Sequence, residues 1–381
     1  MIPYNRHHID EDDIAAVTAV LKSDFLTQGN TVTQFEDLLA TRCKVKHAVA
    51  VSSGTAGLHL ACLALGVKCG DCVWTSPISF IASANAGLYC GADIDFVDID
   101  TKTGCISVDS LTRKLAQTPE NKLPKVLIVV NYAGHSADII KIKKLSVEYR
   151  FFIIEDSCHA FGGEYAGEPV GCCRYSDISV FSFHPIKSIT TAEGGALLTN
   201  NDEIARRAAA LRTHGINREA GGVNQYVWSY DQTALGFNYR MSDVQAAIGI
   251  GQMKKLDKFI ARRTHLASLY AATLPAGIAH VAGDSGGKSA HHLYAVLIDT
   301  VNNIEMSNKF FSVMRENGIF VQKNYRPIYH HSFYRNKECY LSLSNAEEFY
   351  IKQASLPIFY DMDDDQVGLV ADKIRQVMRE I

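Results

Sequence analysis

Short runs of apolar residues alternate with segments of helical periodicity along most of the chain. The apolar runs lack polar alternation, which is typical of strands covered on both faces. We predict strands at residues 48–51, 72–74, 94–97, 126–130, 151–154, 178–181 and 196–198. Helices are predicted at about 10–22, 35–42 and 53–65. This pattern favours an α/β fold with a mainly parallel sheet sandwiched by helices.

The alternation weakens after residue 240, which suggests a second domain. Residues 242–266 form a long stretch of helical text that could bridge to it. We therefore predict a large domain at 1–250, with an N-terminal helical segment, and a smaller C-terminal α/β domain at 251–381. In the smaller domain we expect strands at 293–298 and 319–321 and helices at 306–317 and 364–381. Gly-rich loops are predicted at 219–224 and 283–289.

Composition narrows the possible partners. The 381 residues are 47% hydrophobic and 21% charged, which is ordinary for a soluble enzyme. The net charge is only −3 and the basic residues are dispersed, so we expect neither nucleic-acid binding nor membrane binding. Residues 1–6 show no apolar signal core, and no apolar run is long enough to span a bilayer. A cytoplasmic location is the natural expectation.

The ten cysteines do not form the dense framework of a small secreted domain. Cys69 and Cys72 resemble half of a metal or redox motif, but no second CxxC pair accompanies them. A turn followed by buried thiols is the simpler interpretation, and we expect no metal site.

Lys187 stands in an unusual setting. It follows an apolar strand and lies between hydroxyl-bearing residues and the Gly194-Gly195 turn, with few charges nearby. Burial would lower the pKa of such a lysine. Asp156 ends the most apolar strand, and the carboxyl ends of parallel strands are where α/β proteins bind ligands. A lysine that forms an imine and a carboxylate that keeps a pyridine nitrogen protonated are what pyridoxal phosphate (PLP) requires. We predict that both residues are catalytic.

Other candidates for the cofactor site carry weaker signals. Gly54 and Thr55 open a predicted helix, where main-chain N–H groups could bind a phosphate, although Ser-Gly-Thr is also an ordinary N-cap. Phe80 could stack on a flat heterocycle, or it could belong to the core. Asp156 alone could cap a helix, and His159 alone could be a satisfied core histidine. The chain has no GxGxxG turn or Walker A sequence, which disfavours dinucleotide and P-loop sites.

Five segments in this order resemble the fold-type-I PLP sugar aminotransferases of the DegT/DnrJ/EryC1/StrS family. They are residues 26–29, 53–58, 155–160, 182–195 and 236–243. The resemblance implies that Lys187 is the Schiff-base lysine and that Asp156 is the partner of the pyridinium nitrogen. It implies further cofactor contacts from Phe80 on the ring, His159 beside it, and Gly54, Thr55 and Ser182 around the phosphate.

The resemblance also implies a homodimer with shared active sites. Asn238 matches an asparagine that reaches the cofactor phosphate of the neighbouring subunit. The alternative for Asn238 is a turn residue.

The substrate implied by the resemblance is a UDP-linked 4-keto-6-deoxy-N-acetylhexosamine, with glutamate as the amino donor. Asn324 stands where many relatives have histidine, which puts its contact in doubt, and Arg326 could meet the diphosphate or lie on the surface. A PLP sugar dehydratase is disfavoured because that branch lacks the lysine. Another nucleotide-linked keto sugar and a non-catalytic binding module stay as alternatives. The implied substrate contacts are Tyr4, Asp24, Phe25, Leu26, Thr27, Gly54, Ser182, Asn324, Tyr325, Arg326 and Pro327.

Overall fold

A computed structural model describes residues 1–217, 229–283, 286–334 and 343–380. The helices of this part are α1 (Glu11–Leu21), α2 (Asn30–Cys43), α3 (Gly54–Ala64), α4 (Ala82–Tyr89), α5 (Val108–Gln117), α6 (Ile139–Tyr149), α7 (Asp202–Arg212), α8 (Asp243–Met253), α9 (Leu256–Thr273), α10 (Ile304–Glu316), α11 (Ser344–Lys352) and α12 (Asp364–Glu380). None of them is both long and apolar enough to cross a membrane.

The strands of the same ranges are β1 (His47–Val51), β2 (Cys72–Thr75), β3 (Asp93–Phe96), β4 (Val126–Val130), β5 (Phe152–Asp156), β6 (Glu164–Tyr165), β7 (Glu168–Pro169), β8 (Ile178–Ser182), β9 (Gly195–Thr199), β10 (Ile216–Asn217), β11 (Asp231–Gln232), β12 (Ile278–His280), β13 (Gly287–Lys288), β14 (Tyr294–Ile298) and β15 (Gln353–Leu356).

Seven strands form the central sheet in the order β1-β9-β8-β5-β4-β2-β3. Strands β3, β2, β4, β5 and β8 pair in parallel, whereas β9 runs antiparallel to both β8 and β1. The predicted mainly parallel sheet is confirmed. All strands except β9 therefore point their carboxyl ends to one edge, where Val51, Asp156 and Ser182 lie.

Strand β4 shows why the strands of the central sheet are uninterrupted runs of apolar residues in the sequence. Val126 and Ile128 pack into the core on one face of the sheet, while Leu127 and Val129 pack into the core on the other face. All five residues of this strand are buried. Helices therefore cover both faces, as the absence of polar alternation predicts.

A second, three-stranded antiparallel sheet follows in the order β12-β14-β15. Its core includes residues of α9, α10 and α12, and also Ile2 from the chain start. The N-terminal residues thus pack with the C-terminal unit. The division of the chain at residue 250 stays a prediction.

Two local predictions need correction. The stretch at 242–266 belongs to two helices, α8 and α9, separated at Lys254 and Lys255. The strand predicted at 319–321 is wrong, because its hydrogen bonds change partner along the segment: Ile319 bridges to Ile2, whereas Gln322 bridges to Ser355. No continuous ladder forms there. The loop predicted at 219–224 lies outside the described residues, as do residues 284 and 285.

Candidate functional site

A cavity of about 380 Å³ opens at the carboxyl edge of the central sheet. It lies between the ends of β1, β5 and β8 and the start of α3. Its lining residues are Ser53, Gly54, Thr55, Leu58, Ser79, Phe80, Ala82, Val130, Asp156, Cys158, His159, Ser182, His184, Ile186, Lys187, Glu193 and Tyr325.

The loop that carries Lys187 is closed by its own hydroxyl and main-chain groups. The Lys187 N–H donates to the His184 carbonyl at 2.8 Å. The Thr190 hydroxyl donates to the Phe183 carbonyl at 3.1 Å, and the Thr191 N–H donates to the same carbonyl at 2.9 Å. These bonds fold residues 183–191 back on themselves. The hydroxyl residues that drew attention to Lys187 therefore fix its loop.

The chain passes very close to the start of α3 where this loop returns to the sheet. A Cβ atom at Gly195 would lie 2.6 Å from the Gly54 nitrogen. Only glycine permits this approach. The Gly-Gly turn thus lets β9 lie directly beside the helix start that lines the cavity.

The surroundings of Lys187 shift its pKa below the ordinary value of a lysine. The side chain is largely withdrawn from solvent, and this burial lowers its pKa. Cys158 and then Asp156 oppose the shift. A lysine with a lowered pKa is a better nucleophile and base near neutral pH.

Asp156 is the buried last residue of β5, and its carboxylate is held by two donors. Oδ2 accepts a hydrogen bond from the Ser83 hydroxyl at 2.6 Å, and Oδ1 accepts one from the Cys158 N–H at 3.3 Å. The residues after Asp156 form turns rather than a helix, so the N-cap alternative does not apply. Asp156 therefore lines the cavity, and hydrogen bonds from Ser83 and Cys158 stabilise its carboxylate.

Sequence reasoning missed Ser83 and its partner Ser79. Their hydroxyl groups lie 2.7 Å apart, and both residues are buried. Ser83 lies in the first turn of α4, whereas Ser79 precedes that helix. No signal in the sequence links either serine to Asp156, which is 73 positions from Ser83.

At the start of α3, one residue caps the helix and the next two residues line the cavity. The Ser53 hydroxyl caps the helix by accepting from the Ala56 N–H at 3.1 Å. Gly54 and Thr55 come next and face the cavity, as does Ser182. A Cβ atom at Gly54 would lie 2.8 Å from the Ser182 Cβ. The N-cap alternative is thus true of Ser53, while the two following residues offer a helix N-terminus to an anion.

Phe80 and His159 line the cavity in different environments. Phe80 is 56% exposed, so it does not belong to the core of this chain. His159 is buried, and burial followed by the nearby Lys187 lowers its pKa well below the usual value. Its Nε2 lies 3.1 Å from the Tyr325 hydroxyl, and its buried Nδ1 has no partner among the described residues.

Next to the lining residue Tyr325, a group of hydrogen bonds joins the two ends of the chain. The Tyr4 hydroxyl donates to Asn324 Oδ1 at 2.9 Å. The Asn324 N–H donates to Gln353 Oε1 at 3.0 Å, and its carbonyl accepts from the Tyr132 hydroxyl. Tyr325 follows and reaches His159. Tyr325 lines the cavity, whereas Tyr4 and Asn324 do not line it and support Tyr325 through this group of hydrogen bonds.

Several of the predicted residues do not line this cavity. Residues 24–27 are exposed, and Thr27 instead bridges to Ser242. Asn238 is also exposed. Arg326 is exposed and donates to the His330 carbonyl at 2.8 Å, whereas Pro327 is buried. One chain alone does not bring these positions to Lys187.

The cavity has the residues that PLP requires. Asp156 can face a pyridine nitrogen, Lys187 can reach an aldehyde, and the N-terminus of α3 offers main-chain N–H groups to a phosphate. The unpartnered Nδ1 of His159 offers a further polar contact. The volume of about 380 Å³ lies in the range of small-molecule sites.

Comparisons with known proteins agree with this chemistry. The sequence pattern described as the DegT/DnrJ/EryC1/StrS aminotransferase family matches residues 7–375. The UDP-4-amino-4,6-dideoxy-N-acetyl-beta-L-altrosamine transaminase of Campylobacter jejuni (strain 81-176) is 37% identical, over 100% of this chain and 98% of the relative.

Two solved structures share the fold over the whole chain. Helicobacter pylori PseC, an aminotransferase involved in the biosynthesis of pseudoaminic acid, superposes with a TM-score of 0.91 and 29% identity, with 100% of each chain covered. The PMP-form of the putative sugar aminotransferase Spr1654 from Streptococcus pneumoniae superposes with a TM-score of 0.93 and 25% identity, again with 100% of each chain covered.

Proposed function

The chain belongs to the DegT/DnrJ/EryC1/StrS aminotransferase family of PLP-dependent enzymes, and from that premise we propose that it aminates a UDP-linked 4-keto-6-deoxy-N-acetylhexosamine. Glutamate is the proposed amino donor, and the product would serve pseudaminic acid biosynthesis. The observation that carries the proposal is the convergence of Lys187, Asp156 and the α3 N-terminus on one cavity. The named C. jejuni relative supplies the substrate class.

The proposed roles follow from where each side chain lies. When bound, PLP supplies an electron sink that stabilises negative charge at the carbon next to the transferred nitrogen. Asp156 keeps the ring nitrogen protonated, and Ser83 holds the Asp156 carboxylate in place. Gly54, Thr55 and Ser182 bind the phosphate. Phe80 and His159 contact the ring, and Tyr325 orients His159.

Lys187 is the proposed proton carrier. Its amino group takes a proton from the carbon of glutamate and later gives one to the former carbonyl carbon of the sugar, as general base and then general acid. The lowered pKa favours the first step, because more of the amine is neutral near pH 7 than in an exposed lysine. Over the two half-reactions one amino group moves from glutamate to the sugar, so that glutamate becomes the corresponding 2-oxo acid and the sugar carbonyl becomes an amine, with the carbonyl oxygen exchanged through water.

We propose that two copies of the chain share their sites. The support is the exposure of residues that the family resemblance assigns to cofactor or substrate, namely Asn238 and residues 24–27. Large apolar side chains are exposed in the same segments, with Phe25 at 62% and Leu235 at 83% exposure. Exposed apolar groups of this size favour a protein partner. The nine cysteines in the described residues are free, in keeping with the proposed cytoplasmic location.

A second candidate is amination of another nucleotide-linked keto sugar, at C3 or C4. The residue that favours it is Asn324, because the family resemblance implies a histidine there in many members and because Asn324 bonds to Tyr4 next to the lining residue Tyr325. A changed polar group at this position can change which sugar is accepted.

Two measurements test the proposal. PLP-loaded protein should be yellow and should bleach with glutamate, whereas a non-catalytic binding module would not respond. A panel of UDP- and dTDP-linked keto sugars, followed by NMR of the amino product, identifies the substrate. Reaction of only dTDP-linked 3-keto sugars would overturn the proposed substrate, and failure to bleach would overturn the enzyme assignment.

A further inference from the structure

We propose that Lys323 is a positioning residue for the keto-sugar half of the reaction, because it ties the segment bearing Asn324 and Tyr325 to the ends of two helices. The inference rests on the proposed function. Lys323 itself does not line the cavity. It acts through the residues that follow it.

Three hydrogen bonds fix the Lys323 ammonium group. Nζ donates to the Ser307 hydroxyl of α10 at 2.7 Å, to the Tyr350 carbonyl at 2.8 Å and to the Ile351 carbonyl at 3.1 Å. The last two belong to the final turn of α11, whose carbonyls have no partner within the helix. A cation at a helix C-terminus is favoured by the aligned peptide dipoles. Lys323 thus serves as a C-cap supplied from a distant segment.

Two aromatic rings complete the surroundings of this amine. Nζ lies 4.8 Å from the centre of the Phe311 ring and 5.4 Å from that of Tyr350. In the described ranges no carboxylate lies within ion-pair distance of it. Neutral acceptors and ring faces therefore stabilise the group against desolvation, which lowers its pKa to about 7. A residue that only needed to fill this space would be apolar.

The same helix end holds the next residue. Gln353, directly after α11, accepts the Asn324 N–H at 3.0 Å and donates to the Ser355 hydroxyl at 2.8 Å. Asn324 then accepts from Tyr4, and Tyr325 contacts His159. The Lys323 side chain and the Asn324 main chain are therefore both bonded to the end of α11 or to the residue after it, and the lining residue Tyr325 follows directly. Loss of the Lys323 bonds lets this segment shift, and a displacement of about 1 Å can cost up to about a hundredfold in rate.

A purely structural role would give a different result, and Lys125 provides the matched control. Its Nζ donates to the Gly66 carbonyl, just beyond α3, at 2.5 Å and to Asp71 at 2.8 Å. It precedes β4, at the sheet edge opposite the cavity. Lys125→Met also removes a lysine that bonds to a carbonyl just beyond a helix, but this lysine lies away from the residues that line the cavity.

The experiment compares wild type, Lys323→Met, Lys323→Gln and Lys125→Met as PLP-loaded proteins. We expect Lys323→Met to raise KM for the UDP-linked keto sugar by about five- to a hundredfold. Bound PLP should stay within about twofold of wild type, because Lys187 and Asp156 have no contact with Lys323. The rate of glutamate-dependent bleaching should fall less than the sugar half-reaction, because Tyr325 reaches the cofactor site only through His159. Lys323→Gln, which keeps an amide donor, should lie between. Lys125→Met should leave both half-reactions unchanged.

An unchanged KM in Lys323→Met would overturn the inference, as would equal losses in the two half-reactions. If Lys323→Met does not fold, Lys323→Gln decides by the same comparison. Absence of bleaching in wild type would instead overturn the proposed function, and the inference with it. The two failures are therefore distinguishable in one experiment.

Discussion

The strand-end side of the cavity and its outer wall are built in different ways. Asp156 and Ser182 are the last residues of two neighbouring parallel strands, and Gly54 starts the helix after a third. Main-chain pairing within one sheet therefore sets their relative positions. The outer wall is formed by Tyr325 and the residues that support it, and it depends on contacts between distant segments, since Tyr4 and Asn324 are 320 positions apart in the chain. Hydrogen bonds that each involve at least one side chain join Asn324 to Tyr4, Tyr132 and Gln353.

This difference indicates which part of the site can change. The strand-end side cannot move without disturbing a sheet buried on both faces. The wall can take a new polar residue at the cost of a few hydrogen bonds, each worth about 1 kcal/mol. We infer that the cofactor chemistry is fixed by the fold, and that substrate choice is set by replaceable side chains such as Asn324.

The largest expected effect is on the strand-end side. Lys187→Ala removes the proposed nucleophile and proton carrier, so turnover should fall by about 10³-fold or more. Borohydride should no longer fix PLP covalently to the protein. Lys141→Ala, which removes an exposed lysine paired with Asp138, is the control and should keep full activity. Normal turnover in Lys187→Ala would remove the basis of the assignment.

The second prediction tests whether the site extends beyond one chain. Asn238→Ala alone should lose most of its activity if its side chain reaches the partner's phosphate. When Lys187→Ala and Asn238→Ala proteins are mixed and allowed to exchange subunits, half of the dimers should be mixed, and each of these has one intact site. Activity should then recover to about a quarter of the wild-type value.

The control for this exchange is each variant mixed with itself, which should recover nothing. No recovery in the mixture, despite subunit exchange shown by tagged copies, would mean that Asn238 acts within its own chain.

The sequence predicted the two sides of the cavity unequally, for physical reasons. Strand β4 was predicted with its exact bounds because a strand buried on both faces has an uninterrupted run of apolar residues. Asp156 and Lys187 could be identified because they are charged residues at the end of such a run or shortly after one. Ser83 and Lys323 could not be identified in this way. They act through contacts with distant residues, and their local sequence does not indicate those partners. The strand at 319–321 failed for the same reason, because its partners come from residue 2 and from β15.

A third, smaller effect concerns the support of Asp156. Ser83→Ala removes a 2.6 Å hydrogen bond to a buried carboxylate, which costs about 1–3 kcal/mol and makes Asp156 a weaker partner for the ring nitrogen. We expect kcat to fall about tenfold, with little change in KM for the sugar. Ser268→Ala removes an exposed serine and serves as the control. A larger effect on sugar KM than on kcat would mean that Ser83 serves the outer wall instead.

The smallest predicted effect is a pH dependence of the stability that Lys323, on the outer-wall side, contributes to the folded protein. The pKa of Lys323 is about 7 in the folded protein, below its ordinary value of 10.5, so between these values the unfolded chain binds more protons than the folded one. Stability contributed by this lysine therefore rises with pH above 7 and is constant below it. Each pH unit in this window adds up to about 1.4 kcal/mol, or roughly 2 °C in Tm. Thermal unfolding of wild type and Lys323→Met at pH 6, 7, 8 and 9 measures it, and the difference should move in favour of wild type as pH rises. For Lys125→Met it should change less, because Asp71 balances that charge, and a Lys323→Met difference independent of pH would mean that the buried amine keeps its proton throughout.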